Sequence, residues 1–113
     1  MMPLRRGEWA EKVALQFYLT KGYKLISKNL RSYGGEIDLV FKKNKKIILV
    51  EVKQRKRSLA NALLTVSTSK KQRILRTWYQ KSEKYAKYPV EMEICVVIGS
   101  PDEYTVTVFR EEL

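Results

Sequence analysis

The sequence predicts an α/β protein with elements in the order α-β-β-β-α-β-β, and three observations carry that expectation. Two segments repeat apolar residues at spacings of three and four, the period of an amphipathic helix, while five shorter runs are rich in Val, Ile, Leu, Tyr and Phe and end at turn-forming residues. The chain has 113 residues, 44% of them hydrophobic and 31% charged, which suits one core of ordinary size. Residues 1–113 are therefore expected to form a single domain.

Over residues 6–21 the positions Trp9, Ala10, Val13, Ala14, Phe17 and Tyr18 form one helical stripe, and Gly22 offers a stop. Residues 23–31 mix Leu25, Ile26 and Leu30 with polar positions, as a strand does, and Tyr33, Gly34 and Gly35 break it. Residues 36–42 and 46–53 are two β-rich runs separated by Lys43, Asn44 and Lys45, which reads as a hairpin even without the favoured Asn-Gly pair. Ser67, Thr68 or Ser69 can cap a second helix reaching about residue 84, with Ile74, Leu75, Trp78 and Tyr85 on its buried stripe. Pro89 ends the helical region, and residues 90–99 and 104–110 are two further strands joined at Ser100, Pro101 and Asp102.

Composition narrows the chemistry. The chain contains no histidine and one cysteine, Cys95, which removes Ser-His-Asp and Cys-His catalysis, zinc sites of the usual Cys/His kinds and any internal disulfide. Catalysis would have to run on carboxylates, lysines or hydroxyls. Lys and Arg number 23 against 12 Asp and Glu, a net charge of +11 that favours a polyanionic partner, nucleic acid before an anionic membrane surface. With no signal-peptide-like apolar region near the N-terminus and no run long enough to span a bilayer, the expected location is cytoplasmic, without a membrane partner.

If the hairpin turns about Asn44 and Lys45, facing residues have numbers that sum to 89, so Asp38 faces Glu51 and Glu36 faces Lys53. Alternation then places Ile37, Leu39, Phe41, Ile48, Val50 and Val52 on one side, and a one-residue slip would destroy that segregation. The other side carries Glu36, Asp38, Glu51 and Lys53 beyond Val40 and Leu49. A solvated face with a Glu36–Lys53 ion pair is the plain alternative. Against it, Asp38 opposite Glu51 is a like-charge pair, costly in a sheet and more so beside the apolar run 47–52. A hard divalent cation such as Mg2+ offsets that cost, because it takes carboxylate oxygens and keeps waters that a phosphate can replace.

Asp38, followed after twelve residues by Glu51-Val52-Lys53, resembles the motif of the PD-(D/E)-x-K nuclease superfamily. The wider pattern comprises Gly7-Glu8, Asn29-Leu30-Arg31, Gly35-Glu36-Ile37-Asp38-Leu39-Val40, Val50-Glu51-Val52-Lys53-Gln54-Arg55, and Val66 followed by Lys70 and Arg73. Together these resemble the YraN-like family of small bacterial endonucleases, which are similar to archaeal Holliday junction resolvases, over about residues 5–80. The resemblance implies a restriction-endonuclease-like fold, a mixed central β-sheet flanked by helices, and a metal-dependent, structure-selective endonuclease acting on DNA rather than RNA. It implies Mg2+ or Mn2+ held by Glu8, Asp38 and Glu51, with Lys53 orienting or deprotonating the attacking water and Glu36 beside them in the catalytic group. A homodimer, the form that junction resolvases take, is left open. Two departures stand out: Ser58, Leu59 and Ala60 replace an aromatic-glycine pair, and Glu91-Met92-Glu93-Ile94 replaces an Arg-Phe-Asp-Val type run, read as a packing change on a core strand.

Glu8 could also serve only as a first-turn carboxylate favoured by the helix dipole. Between Glu51 and Glu83 there is no acidic residue, while nine cations fall in that interval. Of these, Arg55, Lys56, Arg57, Lys70, Lys71 and Arg73, together with Arg31 outside it, are the expected phosphate contacts. Trp78 and Cys95 are expected in the core rather than at a site. The competing function is a nucleic-acid-binding module on the same fold that does not cut; a third is an assembly protein whose basic face docks an acidic partner.

Overall fold

The computed structural model describes residues 7–57 and 66–113. The expected helix start at Arg6 and the Ser58-Leu59-Ala60 departure lie outside the described residues. Helix α1 spans Glu8–Thr20, strands β1, β2 and β3 span Lys24–Ser32, Gly35–Lys43 and Lys46–Arg55, helix α2 spans Thr68–Lys81, and strands β4 and β5 span Val90–Ser100 and Glu103–Glu111. A single 3-10 turn, Glu83–Tyr85, follows α2 where the sequence suggests a longer helix. The five strands form one sheet in the order β1-β2-β3-β4-β5, antiparallel throughout except for β3 and β4. That one parallel pair needs a crossover connection, and α2 lies within it. The result is an α/β fold with a mixed sheet between two helices, compatible with a restriction-endonuclease-like architecture.

Local chemistry sets the boundaries of the elements. Helix α1 ends at Gly22, whose φ of 86° lets its N–H reach the Leu19 carbonyl while the Tyr23 N–H reaches that of Tyr18, a Schellman stop. Helix α2 starts at Ser67, whose Oγ accepts the Lys70 N–H at 3.2 Å. The β2–β3 turn is made by Asn44 and Lys45 at φ 53° and 64°, both left-handed, as a two-residue hairpin turn of the primed type requires. Leu39 pairs with Val50, Val40 with Leu49 and Phe41 with Ile48, so the register that sums to 89 holds through the core of the hairpin.

Both faces of the sheet are buried. Helix α1 covers one with Ala10, Ala14 and Tyr18 against Leu39, Phe41, Ile48, Val50, Cys95 and Val97. Helix α2 covers the other with Ile74 and Trp78 against Ile37, Val40, Ile47, Leu49, Met92, Ile94 and Val96. Trp78 is core, its ring stacked on Tyr85 at 6.1 Å. Met92 and Ile94 are core residues of β4, in keeping with a packing change there. Cys95 is fully buried, and burial pushes its thiol up to about 12, so it serves as a small apolar side chain. Among the described residues no helix is long and apolar enough to cross a membrane.

One expectation about faces is corrected. Ile37 lies in the α2 core while Leu39 lies in the α1 core, although strict alternation puts them together. The register with β1 is the same on either side, but the ladder has no pair at Asn29 and Asp38. Pairing with β1 passes from Lys28↔Leu39 to Leu30↔Ile37, and the intervening Asn29 takes a left-handed φ of 50°. The break falls at Asp38.

Candidate functional site

The irregularity at Asp38 is built around its side chain. Pairing between β2 and β3 ends at Leu39↔Val50, and beyond it Asp38 Oδ2 accepts the Val52 N–H at 2.8 Å. A carboxylate thus takes the place of a ladder carbonyl and draws Asp38 toward β3, next to Glu51. The expected Asp38–Glu51 opposition is met in space, through a side-chain bond rather than a regular register. Burial is the largest cause raising the Asp38 carboxyl to about 7, followed by the negative charge of Glu51; Glu11 and Glu36 add to it, and only the Val52 N–H opposes it. The expected electrostatic strain is therefore present, with desolvation ahead of like-charge repulsion.

Glu36, Asp38 and Glu51 line a cavity of about 250 Å3 together with Gly34, Gly35, Lys70 and Arg73. Lys70 Nζ donates to Glu51 Oε1 at 2.6 Å. It does so from the first turn of α2, where a cation opposes the helix dipole and no acidic residue compensates. Lys53 follows Glu51 on the same face of β3; burial lowers its pKa, Arg55 and Lys70 lower it further, and Glu51 works against them.

Gly35 keeps α2 over the cavity. A Cβ on Gly35 would overlap Thr77 Oγ1 and stand 3.1 Å from the Arg73 carbonyl oxygen. Thr77 Oγ1 donates to that carbonyl at 2.8 Å, which leaves Ser32 Oγ as donor in the 2.8 Å Ser32–Thr77 bond. The β1–β2 turn and the middle of α2 are thereby clasped, with Arg73 held above the carboxylates.

Other expected site residues lie elsewhere or have other partners. Glu36 pairs with Arg31 at 3.3 Å across the β1–β2 ladder, a correction to the Glu36–Lys53 opposition, because β2 and β3 no longer pair beyond Leu39. Glu8 lines a neighbouring crevice of about 90 Å3 with Glu11, Lys12, Lys28, Asn29 and Leu39, not the cavity of Asp38 and Glu51. Glu11, which the sequence reading passed over, is the α1 carboxylate that Asp38 senses. Its signal was available: it stands three residues after Glu8 on the same helical face.

The acid-free run between Glu51 and Glu83 is partly neutralised by distant elements. Lys71 pairs with Glu111 at 2.7 Å and donates to the Glu112 carbonyl, and Lys70 pairs with Glu51. Arg55 Nη1 donates to the Gln54 carbonyl at 2.7 Å. Lys56 and Arg57 are exposed, and Lys56 borders a separate hollow with Trp9, Gln54 and Glu103. Of the seven expected phosphate contacts, the structure brings Lys70 and Arg73 to the carboxylate cavity.

Among the described residues no three Asp, Glu or Cys side chains are grouped to hold an ion. Asp38 and Glu51 nevertheless form a hard oxygen donor pair, and Lys70 offsets the charge of Glu51 directly. Mg2+ is commonly held by one or two carboxylates, with waters and substrate phosphate completing its shell, so this pair fits such a cation without a preformed cage.

Comparison with known proteins agrees on kinship. A UPF0102 protein of Thermus thermophilus is 38% identical over 99 residues, covering 88% of each chain. Another, of Thermodesulfovibrio yellowstonii, is 32% identical over 111 residues, covering 96% of this chain and 99% of the relative. A third, of Legionella pneumophila, is 27% identical over 108 residues and 92% of each chain. The family model described as "Uncharacterised protein family UPF0102" matches residues 10–97, which include most of α1, all of α2 and the whole cavity, and the chain belongs to that family.

Proposed function

We propose that this protein is a metal-dependent nuclease that hydrolyses phosphodiester bonds of nucleic acid, a structure-selective DNA endonuclease. One observation carries the reading. Asp38 and Glu51, from adjacent strands, share a cavity with Lys70 and Arg73 while Lys53 stands beside Glu51, so carboxylates that repel phosphate sit among cations that attract it. A surface evolved only to bind a polyanion gains nothing from a half-buried carboxylate pair.

Asp38 and Glu51 would hold Mg2+ or Mn2+, which when bound supplies Lewis-acid stabilisation of phosphate charge and acidifies water. The residues of the chain do the rest. Asp38 lines the cavity and is oriented by the Val52 N–H, which engages one of its two oxygens. The Lys70 ammonium neutralises Glu51 in the described state; released from it, Lys70 is placed with Arg73 to take the oxygens of the scissile phosphate. Burial and neighbouring cations disfavour the Lys53 ammonium, which brings its amine nearer to accepting or steering a proton of the attacking water.

The second reading, a nucleic-acid-binding module that does not cut, is favoured by the Lys70–Glu51 pair itself, since a lysine that stays there blocks the donor pair. Labelled flap, junction, duplex and single-stranded substrates, each with Mg2+, Mn2+ or EDTA, separate the two. Metal-dependent cleavage that is lost in Asp38→Asn and Glu51→Gln supports the nuclease. Tight binding without cleavage under every condition supports the module.

A further inference from the structure

Tyr33, the residue before Gly34 in the β1–β2 turn, lies wholly in solvent, at 103% of its reference area. Among the described residues it has no hydrogen bond and no ring contact. The other exposed tyrosines are less open: Tyr104 leans on Trp9 at 6.1 Å, and Tyr79 is 54% exposed. Tyr33 directly precedes Gly34 and Gly35, both of which line the cavity with Glu36, Asp38, Glu51, Lys70 and Arg73.

The tip that carries it is fixed on both sides. Ser32 is hydrogen-bonded to Thr77 at 2.8 Å, and Gly35 is pressed against Thr77 and the Arg73 carbonyl. The turn that presents Tyr33 is therefore anchored on both sides, and ordering the ring itself on a base costs only two torsions, the economical form of a stacking platform. The neighbours of Tyr33 along the chain are Arg31, Ser32, Gly34 and Gly35, none of which brings an apolar side chain to the tip. Arg31, whose exposed ion pair with Glu36 is weak, and Arg73 across the cavity are cations suited to the phosphates on either side of a stacked base.

We infer that Tyr33 stacks on an unpaired base beside the bond to be cut, so that the site takes nucleic acid carrying an unstacked nucleotide in preference to continuous duplex. In a continuous duplex both faces of each base are covered by its neighbours, whereas a gap, flap or branch leaves a face free. The inference rests on the nuclease reading and adds to it the feature of the substrate that is recognised and the residue that recognises it.

The test is binding without cutting, in Ca2+ and low salt, to two probes: a duplex with a short single-stranded gap containing 2-aminopurine, and the same duplex fully paired. Tyr33→Ala should weaken binding of the gapped probe about 5- to 150-fold, the range for losing one base–aromatic stack, and change duplex binding less than about twofold. Tyr33→Phe and Tyr33→Trp should retain affinity for the gapped probe. The 2-aminopurine quenching caused by wild-type protein should disappear in the Ala variant and persist in the aromatic ones. Equal loss on both probes, unchanged affinity in Tyr33→Ala, or loss in all three variants would overturn the inference while leaving the nuclease reading standing. A wild-type protein that binds neither probe would overturn the nuclease reading and this inference with it.

Discussion

Replacing Asp38 by Asn should stabilise the metal-free protein at pH 8 and leave it unchanged near pH 4. In the folded state the carboxyl titrates at about 7, against about 3.8 in a free chain, because it is buried and faces Glu51. The folded protein holds that proton more tightly than the unfolded chain, so unfolding releases a proton across this window. Stability from this group is complete below about pH 4, falls by about 1.4 kcal/mol per pH unit, and is lost by pH 7 to 8. The difference amounts to at most about 4 kcal/mol. Asn removes the charge and keeps an oxygen that can accept the Val52 N–H, so the substitution isolates the electrostatic part. At about 4 °C per kcal/mol for a domain of this size, the variant should melt up to about 15 °C higher than wild type at pH 8. Thermal unfolding followed by circular dichroism from pH 4 to 8 in EDTA measures it. A variant that is less stable at pH 8, or a melting difference that does not vary with pH, would refute the argument.

Mg2+ or Mn2+ should raise the wild-type melting temperature, more at pH 8 than at pH 5.5 because the ion competes with the Asp38 proton; Asp38→Asn with Glu51→Gln should abolish the shift in a thermal melt. Lys53→Ala should lower the cleavage rate by about 10²-fold or more with affinity within a few-fold, and single-turnover rates beside anisotropy decide it; an equal fall in affinity makes Lys53 a phosphate contact. Gly35→Ala should destabilise by about 1–3 kcal/mol in urea titration, since the new methyl meets Thr77 and the Arg73 carbonyl. Lys45→Gly should stabilise by about 0.5–1 kcal/mol in the same assay, because Lys45 sits at φ 64° in the hairpin turn. Replacing Arg55, Lys56 and Arg57 by Ala should reduce the salt slope of binding by roughly one to three, alike for unrelated sequences; an unchanged slope moves the phosphate path away from this run, toward Lys70, Lys71 and Arg73.

What the sequence determined by itself is local. Periodicity and turn chemistry act within about ten residues, so the α1 stripe, the Gly22 stop, the Ser67 cap and the hairpin register through Leu39↔Val50 were all legible. The acidic positions Asp38 and Glu51 stood out for the same reason, as charges interrupting an apolar alternation. The tertiary structure alone decided what meets across the crossover. The parallel β3–β4 pairing requires a crossover, the crossover lays α2 over β1 and β2, and only that placement brings Lys70 to Glu51 and Arg73 to the cavity. Strand alternation misplaced Ile37 because it assumes an unbroken ladder, and at Asp38 a side chain replaces the backbone acceptor. Glu36 turned to Arg31, and Lys71 to Glu111, because ion pairs form with whatever charge the fold brings within a few ångströms, regardless of separation along the chain.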